Sequence, residues 1–410
     1  MTTHVLVGGV DGAGAPLELR LDAASGLVVH AEPLLTPEPG EGVVDCGGLV
    51  LLPAGAEPHV HLDKVGTIRS APNPSGELMD AVHAWLAYAP SLTAEDVHRR
   101  ALDAVDRYVA SGTTAIRTHV NVHASIDLSV LDAILRVRDE VADRCTVQVV
   151  ALITAPLADD SEEARATWRQ AEAAMERGVD LVGGAPATDA DPAAAVRLLV
   201  DLAARWGRPI DLHIDEKLDP EARALLALAN GVRQHGLAGR ATAGHCVSLG
   251  QQPIEEQLAT ASRLAEAGIA VVALPPTNLW LQGRGRPVAT PRGVTAVRVL
   301  LDAGVVVATG ADNVEDPFCP LGRADLIDAA RLLALTAHVT PAEAWHAASV
   351  AGRRVLGLPP AALSVGSVAD ILAIEGHDVG QALARASAHR LVWKAGRLVA
   401  RTTVATERFD

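Results

Sequence analysis

Residues 54–66 read AGAEPHVHLDKVG, and the pair His59 and His61 within them stands where an apolar run, LVLLPAG, comes to an end. On a strand, side chains two residues apart face the same side. Both imidazoles can therefore converge on one metal ion at a strand's C-terminal end. Two half-buried histidines that merely hydrogen-bond produce the same pattern, so the pair is read together with the rest of the chain.

Three more polar clusters have the same setting. IDLHIDEK follows the helical segment AVRLLVDLAARWG and places His213 at a strand end, with Glu216 three residues on in the adjoining loop. Such a histidine can supply a ligand, and such a carboxylate is placed for proton transfer; alone, Glu216 and Lys217 also read as a solvated loop. ATAGHCVSL ends a small-residue strand at His245, and VVVATGADNVEDPFCPLG ends a β-branched strand at Asp312 before an irregular acidic loop. Taken singly, His245 reads equally as a satisfied core histidine and Asp312 as a cap or turn residue. The order HxH, His, His, Asp, with every member at the C-terminal end of a predicted strand, is not a product of unrelated structural needs.

Working outward, apolar runs alternate with Ala-rich helical segments: LVLLPAG, TAIRTHVNV, TVQVVALI, VDLVGGAP, PIDLHID, RATAGHC, IAVVALP and VVVATGAD. Eight such runs are what a (β/α)8 TIM-like barrel requires, so an α/β barrel is predicted over residues 53–360. Before it, HVLVGGV, PLELRLD, GLVVHAE and GGLVLLP read as short strands broken by turns. After Leu358 the helical texture stops, and VADILAIEG, HRLVWKAGRLVA and RTTVATE again read as strands. Residues 1–52 and 361–410 are therefore predicted to form one small β-sandwich domain, with TPEPGEG at 36–42 as a loop inside it.

Composition excludes several classes. Aromatics make up only 2% of the 410 residues against 49% hydrophobic content, so the core is aliphatic. A net charge of -15 without a basic run argues against nucleic acid, which needs clustered Lys and Arg. Cys46, Cys145, Cys246 and Cys319 form no CxxC pair, so neither a thiolate zinc site nor a disulfide framework is expected, and a cytoplasmic setting is the simplest. No apolar stretch of about 18 residues occurs, so no membrane span is expected. The sequence leaves a homo-oligomer open.

The segments EPHVHLDK, RTHVNV, DLHIDE, GHCVSL, NLWLQGR and GADNVEDPFCPLGRADLI, spread over residues 47 to 396, resemble the amidohydrolase superfamily and within it the cytosine deaminase-like branch. That resemblance implies one divalent metal ion held by His59, His61, His213 and Asp312. Glu216 and His245 would be catalytic outside the ligand set: Asp312 takes a proton from water, His245 holds the nucleophile, and Glu216 protonates a ring nitrogen of a C=N–C substrate. VDLVGGAPA has no lysine to carbamylate, which points to a single metal. Nitrogen and oxygen ligands suit Zn(II), and Fe(II) is compatible.

The resemblance has gaps. Thr154 ends strand three where cytosine deaminase has Gln, Asn313 replaces a second carboxylate, and Trp280 takes the place of a His in the NLWLQGR run that also holds Gln282. Thr154, Trp280, Gln282 and Asn313 are the expected substrate contacts, for a heterocycle other than or larger than cytosine. Lys64 can neutralise Asp63 or reach an acidic substrate group, and the salt bridge is the favoured reading; Arg117 is assigned to a structural role, and His119 and His123 to the pocket wall. The function implied is hydrolytic deamination of an amino-substituted N-heterocycle or cyclic amidine, with a small molecule as partner. The alternatives are hydrolysis of a cyclic amide or an N-alkylamino ring, or a catalytically silent binding protein.

Overall fold

A computed structural model describes residues 3–409. The N-terminal segment forms β1 (Thr3–Val7), β2 (Glu18–Asp22), β3 (Leu27–Glu32) and β4 (Gly42–Asp45), a sheet in the order β3-β2-β1-β4. β5 (Leu49–Pro53) leaves that sheet for another. The chain then lays down β6 (Gly55–Val60), β7 (Thr113–Val122), β8 (Thr146–Ile153), β9 (Leu181–Gly184), β10 (Ile210–Ile214), β11 (Ala241–His245), β12 (Ile269–Ala273) and β13 (Val307–Thr309). These are parallel neighbours in strict sequence order. From the far end β14 (Ile371–Glu375), β15 (Arg390–Lys394) and β16 (Arg397–Thr402) return to complete the sheet β16-β15-β14-β5.

Helices Ala94–Ala110, Ser129–Glu140, Glu162–Glu176, Pro192–Trp206, Ala224–Gln234 and Ile254–Ala267 carry the chain from β6 to β12, one in each crossover, and the first crossover also holds the helix Leu78–Tyr88. Each is amphipathic. Ala94–Ala110 buries Val97, Ala101, Ala104, Val105 and Tyr108 at helical spacing, and its cap Thr93 accepts the Asp96 N–H at 3.3 Å. Pro192–Trp206 starts on the Asp191 cap with Pro at its first position and stops at Gly207, whose φ of 61° is the left-handed stop that glycine takes at little cost. The first and last barrel strands meet at their tips: Asp312 N–H donates to His59 O at 3.0 Å and His61 N–H to Asp312 O at 3.3 Å. The fold is thus a (β/α)8 barrel carrying a β-sandwich built by both chain ends. Among the described residues no helix is long and apolar enough to cross a membrane.

Two sequence readings change. LVLLP, expected as the first barrel strand, is β5 of the sandwich, paired antiparallel with β14 from Ile371↔Pro53 to Glu375↔Leu49. Its two faces explain the confusion: Leu49 and Leu51 enter the sandwich core while Val50 and Leu52 pack into the barrel's core. A strand buried on both sides has no alternation to betray which sheet it joins. The true first strand, GAEPHV, hides behind a proline and a glutamate, and its pairing with β7 shifts register between Glu57 and Val60. In the C-terminal segment, where only strands were expected, Val379–Arg385 is a helix capped by Asp378 that tucks Ala382 and Leu383 inward. RTTVATE contributes only its first residues, to the end of β16.

Buried ion pairs lock the sandwich to the barrel. Arg390 grips Asp325 with two bonds of 2.9 Å, and Asp325 also caps the helix Leu326–Ala337 through the Ile327 N–H. Arg353 pairs with Asp370 at 2.7 Å, and Asp370 also accepts from the Thr114 hydroxyl on β7. Removing one partner of such a pair leaves an uncompensated buried charge, so Asp325→Ala is expected to destabilise the protein by roughly 3–5 kcal/mol. Chemical denaturation measures this, and a change under about 1 kcal/mol would contradict the interlock.

Candidate active site

The side chains His59 and His61 leave the end of β6, His213 the end of β10, and His245 the last position of β11; Asp312 follows β13. His245 and Asp312 both adopt left-handed backbone, with φ of 67° and 62°. Non-glycine residues hold that conformation where surrounding structure insists on it, and such residues cluster at functional sites.

All five groups are buried and converge. His213 Nε2 lies 3.0 Å from His59 Nε2 and 3.1 Å from His61 Nε2. Asp312 Oδ1 stands 3.2 Å from His61 Nε2 and 3.7 Å from His59 Nε2, and its Oδ2 stands 3.9 Å from His245 Nε2. His59, His213, His245 and Asp312 each offer a ligand atom within 4.8 Å of all the others, so His245 sits as near the centre as the residues assigned to ligation from sequence.

Burial, reinforced by neighbouring histidines and by a cation, Arg117 for His59 and Lys64 for His61 and His213, holds these three imidazoles well below the ordinary histidine range. They are neutral, with lone pairs to offer. His61 Nδ1 donates to His119 O at 3.2 Å and His245 Nδ1 to Asn278 Oδ1 at 3.0 Å, which turns the lone pair of each Nε2 inward. Both Asp312 oxygens and His245 Nε2 lack any hydrogen-bond partner although fully buried. With the imidazoles neutral and their Nε2 lone pairs turned inward, lone pairs face lone pairs and a carboxylate, which repel unless a cation stands between them. A divalent cation with nitrogen and oxygen ligands fits this donor set.

Around the cluster, two carboxyl groups are displaced. Burial pushes Asp312 up to about 8 against the pull of His245, and pushes Glu216 up to about 8 against Lys217. Glu216 Oε1 lies 3.6 Å from His245 Nδ1 at the edge of a cavity of about 230 Å³. His61, His213, His245, Asp312 and Asn313 form one side of that cavity, and Lys64, Asn121 and Thr154 add polar groups. The helix Leu78–Tyr88 adds a mainly apolar lining, Leu78, Met79, Val82, Trp85 and Leu86 with His83 among them, and Phe318 joins it.

Of the residues expected to touch substrate, Thr154 and Asn313 line the cavity. Thr154 Oγ1 has no partner, but the Asn313 amide is committed to Asp316 at 2.7 Å. Trp280 and Gln282 do not line it. The Trp280 ring lies under the Arg284 guanidinium at 4.4 Å, and Gln282 donates to the Glu216 carbonyl at 2.7 Å, bracing that loop from behind. His119 and His123, expected on the pocket wall, lie elsewhere. His119 stacks on His59 with ring centroids 4.0 Å apart, and His123 bonds Ser125 at 2.8 Å. Arg117 ties Asp211, Gln148, Thr242 and the Val355 carbonyl together below the site.

Sequence reasoning missed Glu57. It is fully buried, and its carboxylate accepts the N–H of His59 at 3.0 Å, that of Ala311 at 2.9 Å and the Tyr108 hydroxyl at 3.3 Å. Burial pushes it up to about 8, against the pull of those donors. Gly310 leaves it room, since a β-carbon there would overlap the carboxylate. A glutamate inside an apolar run, two residues before the HxH pair, was the available signal.

The amidohydrolase family profile matches residues 42–132 and 127–400, and the chain belongs to that family. It is an enzyme of the hydrolase class. More particularly, it is 33% identical over 390 residues to the pterin deaminase of Rhizobium rhizogenes, covering 92% of this chain and 87% of that one. The 5-methylcytosine deaminase of Klebsiella pneumoniae liganded with 5-fluorocytosine superposes with a TM-score of 0.88 at 27% identity, over 99% of both chains. The N-isopropylammelide isopropylaminohydrolase of Burkholderia multivorans does so with a TM-score of 0.82 at 27% identity, over 98% of this chain and 99% of that one.

Glu57→Ala strips the acceptor from two backbone groups that aim His59 and the Asp312 turn. The expected outcome is an affinity for Zn(II) lower by roughly 10–100-fold, measured by competition with a chelator. Wild-type affinity would remove Glu57 from the site's support.

Proposed function

We propose that this protein is a hydrolytic deaminase of an amino-substituted N-heterocycle or cyclic amidine, using one divalent ion, Zn(II) or Fe(II), held by His59, His61, His213 and Asp312. The observation that carries the reading is the ring of neutral imidazoles and an unpartnered buried carboxylate beside Glu216, at the mouth of the barrel. The similarity to deaminases of pterin and 5-methylcytosine supports the ring substrate. The four cysteines are buried free thiols, which supports a reducing compartment such as the cytoplasm.

His59, His61, His213 and Asp312 would hold a divalent ion, which would lower the pKa of water from about 15.7 towards about 7 and so supply the nucleophile. Asp312 takes the proton of that water with a carboxylate oxygen that has no other partner. His245, its Nδ1–H committed to Asn278, accepts a hydrogen bond from the water through Nε2 and orients it toward the reacting carbon. Glu216, kept protonated by burial, gives its proton to the ring nitrogen, which makes the neighbouring carbon electrophilic. Asp312 then returns its proton to the departing amine while the hydroxyl proton of the adduct passes to the Glu216 carboxylate; the carbon–nitrogen bond breaks, ammonia leaves, a ring carbonyl remains and both carboxyl groups are restored. Thr154 Oγ1 and Asn121 Oδ1, both buried without partners, read the ring edge.

A second reading, release of an alkylamine from an N-alkylamino ring, is favoured by one observation, the apolar wall of Leu78, Met79, Val82 and Leu86 on which an alkyl group could lie. Assay of the metal-loaded protein on aminopyrimidines, aminotriazines, aminopterins and creatinine-like compounds separates the two by whether ammonia or alkylamine appears. Neither product from any of them would overturn both substrate readings.

Glu216→Gln keeps the shape of the side chain and removes its proton donor. It is expected to retain metal and to lose turnover by about 100-fold or more, read from kcat alongside metal content. Full activity, or loss of the ion, would contradict the role.

A further inference from the structure

Among the described residues lining the cavity, Lys64 alone carries an ammonium or guanidinium group, and it is only 2% exposed. Its Nζ lies 3.0 Å from His61 Nδ1, 3.5 Å from Asp63 Oδ1 and 5.0 Å from the centre of the Trp85 ring. The first contact cannot be a hydrogen bond once His61 directs Nε2 to the site: Nδ1 then bears the proton it donates to His119 O at 3.2 Å and has no lone pair left. The second is at the limit of bonding distance, and the other oxygen of Asp63 is engaged by the Asn121 N–H at 3.0 Å. The salt bridge expected from the sequence is therefore a long one. An ammonium with three donors keeps a single weak oxygen partner in a place where water scarcely reaches, and buried charged donors without acceptors are costly.

We infer that Lys64 is a specificity-determining residue whose missing acceptor is an anionic oxygen carried by the substrate ring, as an ionised imide or as a carboxylate substituent. The ammonium then offers at least two free N–H donors to that oxygen, and the Trp85 face beneath it shields the pair from water. Neutral rings lack this contact and leave the ammonium with only its long bond to Asp63, which is the physical basis of discrimination. The inference rests on the proposed heterocycle-binding site.

The test is calorimetric binding to the full-length, metal-loaded protein near neutral pH with three probes: barbiturate, an ionised imide; orotate, a ring carboxylate; and uracil, neutral. Wild type is expected to bind barbiturate or orotate at least tenfold more tightly than uracil, and whichever binds tighter identifies the form of the oxygen. Lys64→Met should erase that preference, a loss of about tenfold to a hundredfold for the anion, with uracil affinity and metal content unchanged. Lys64→Arg should retain part of it; Lys64→Gln gives a second neutral variant if Lys64→Met fails to fold. No anion preference in wild type, an equal loss for all three probes, or metal lost from Lys64→Met would overturn the inference, the last by assigning Lys64 to support of His61. Binding needs no turnover, so the two proposals fail separately. Anion preference without amine release from any substrate would sink the deaminase reading alone, and amine release without anion preference would sink this one alone.

Discussion

The tips of the first and last barrel strands are bonded to each other, and that closure carries the site. His59 and His61 flank one side of the junction and Asp312 the other, joined by two backbone hydrogen bonds and by Glu57, which binds the amides of His59 and Ala311 at once. The closure has to resist a real force. His59 Nδ1, His213 Nδ1, His245 Nε2 and both oxygens of Asp312 are buried without partners, and each such group costs about 1–3 kcal/mol. Five of them amount to as much as a domain's whole margin of stability, which is of order 5–15 kcal/mol. Only a barrel whose strands are otherwise fully paired and aliphatically packed can hold that arrangement ready for a ligand.

Burial raises both Asp312 and Glu216 to about 8, yet the two carboxyls do not have equivalent surroundings. Asp312 faces three imidazole nitrogens within 4 Å, so positive charge at the cluster acts on it first and favours its ionised form. Glu216 stands on the cavity side, one histidine further out, and its displacement comes from burial. The same fold thus provides one carboxylate suited to take a proton and one carboxylic acid suited to give one, separated by environment and not by residue type.

The legibility of the sequence followed the locality of the physics. The barrel was readable because buried parallel strands and amphipathic helices write their periods over many residues, and the His and Asp positions because each ends one of those strands. Features that depend on two distant segments were not. LVLLP reads as a barrel strand because its faces serve two different cores. Glu57 reads as a stray charge because its partners lie at Ala311 and Tyr108. The cavity's apolar wall comes from Leu78–Tyr88, which as sequence is one more helix, with no mark that Leu78, Val82 and Leu86 face a cavity instead of a core.

The polar residues near the site divide by what they already hold. Gln282 and Asn313 resemble substrate readers in sequence, but the amide of Gln282 is committed to the Glu216 carbonyl and that of Asn313 to Asp316. A group so engaged costs energy to recruit, and its natural effect is to hold the strand-end loops still. Thr154 Oγ1 and Asn121 Oδ1 have no such commitment, and both belong to the cavity. Under the proposed function, positioning of the reacting groups then belongs to strand ends and their braces, while recognition would fall to a few unpaired atoms and to a helix in the first βα connection. A division of that kind lets the wall and the unpaired atoms change without moving the imidazoles, because Thr154 Oγ1 and Asn121 Oδ1 hold no hydrogen bond to them.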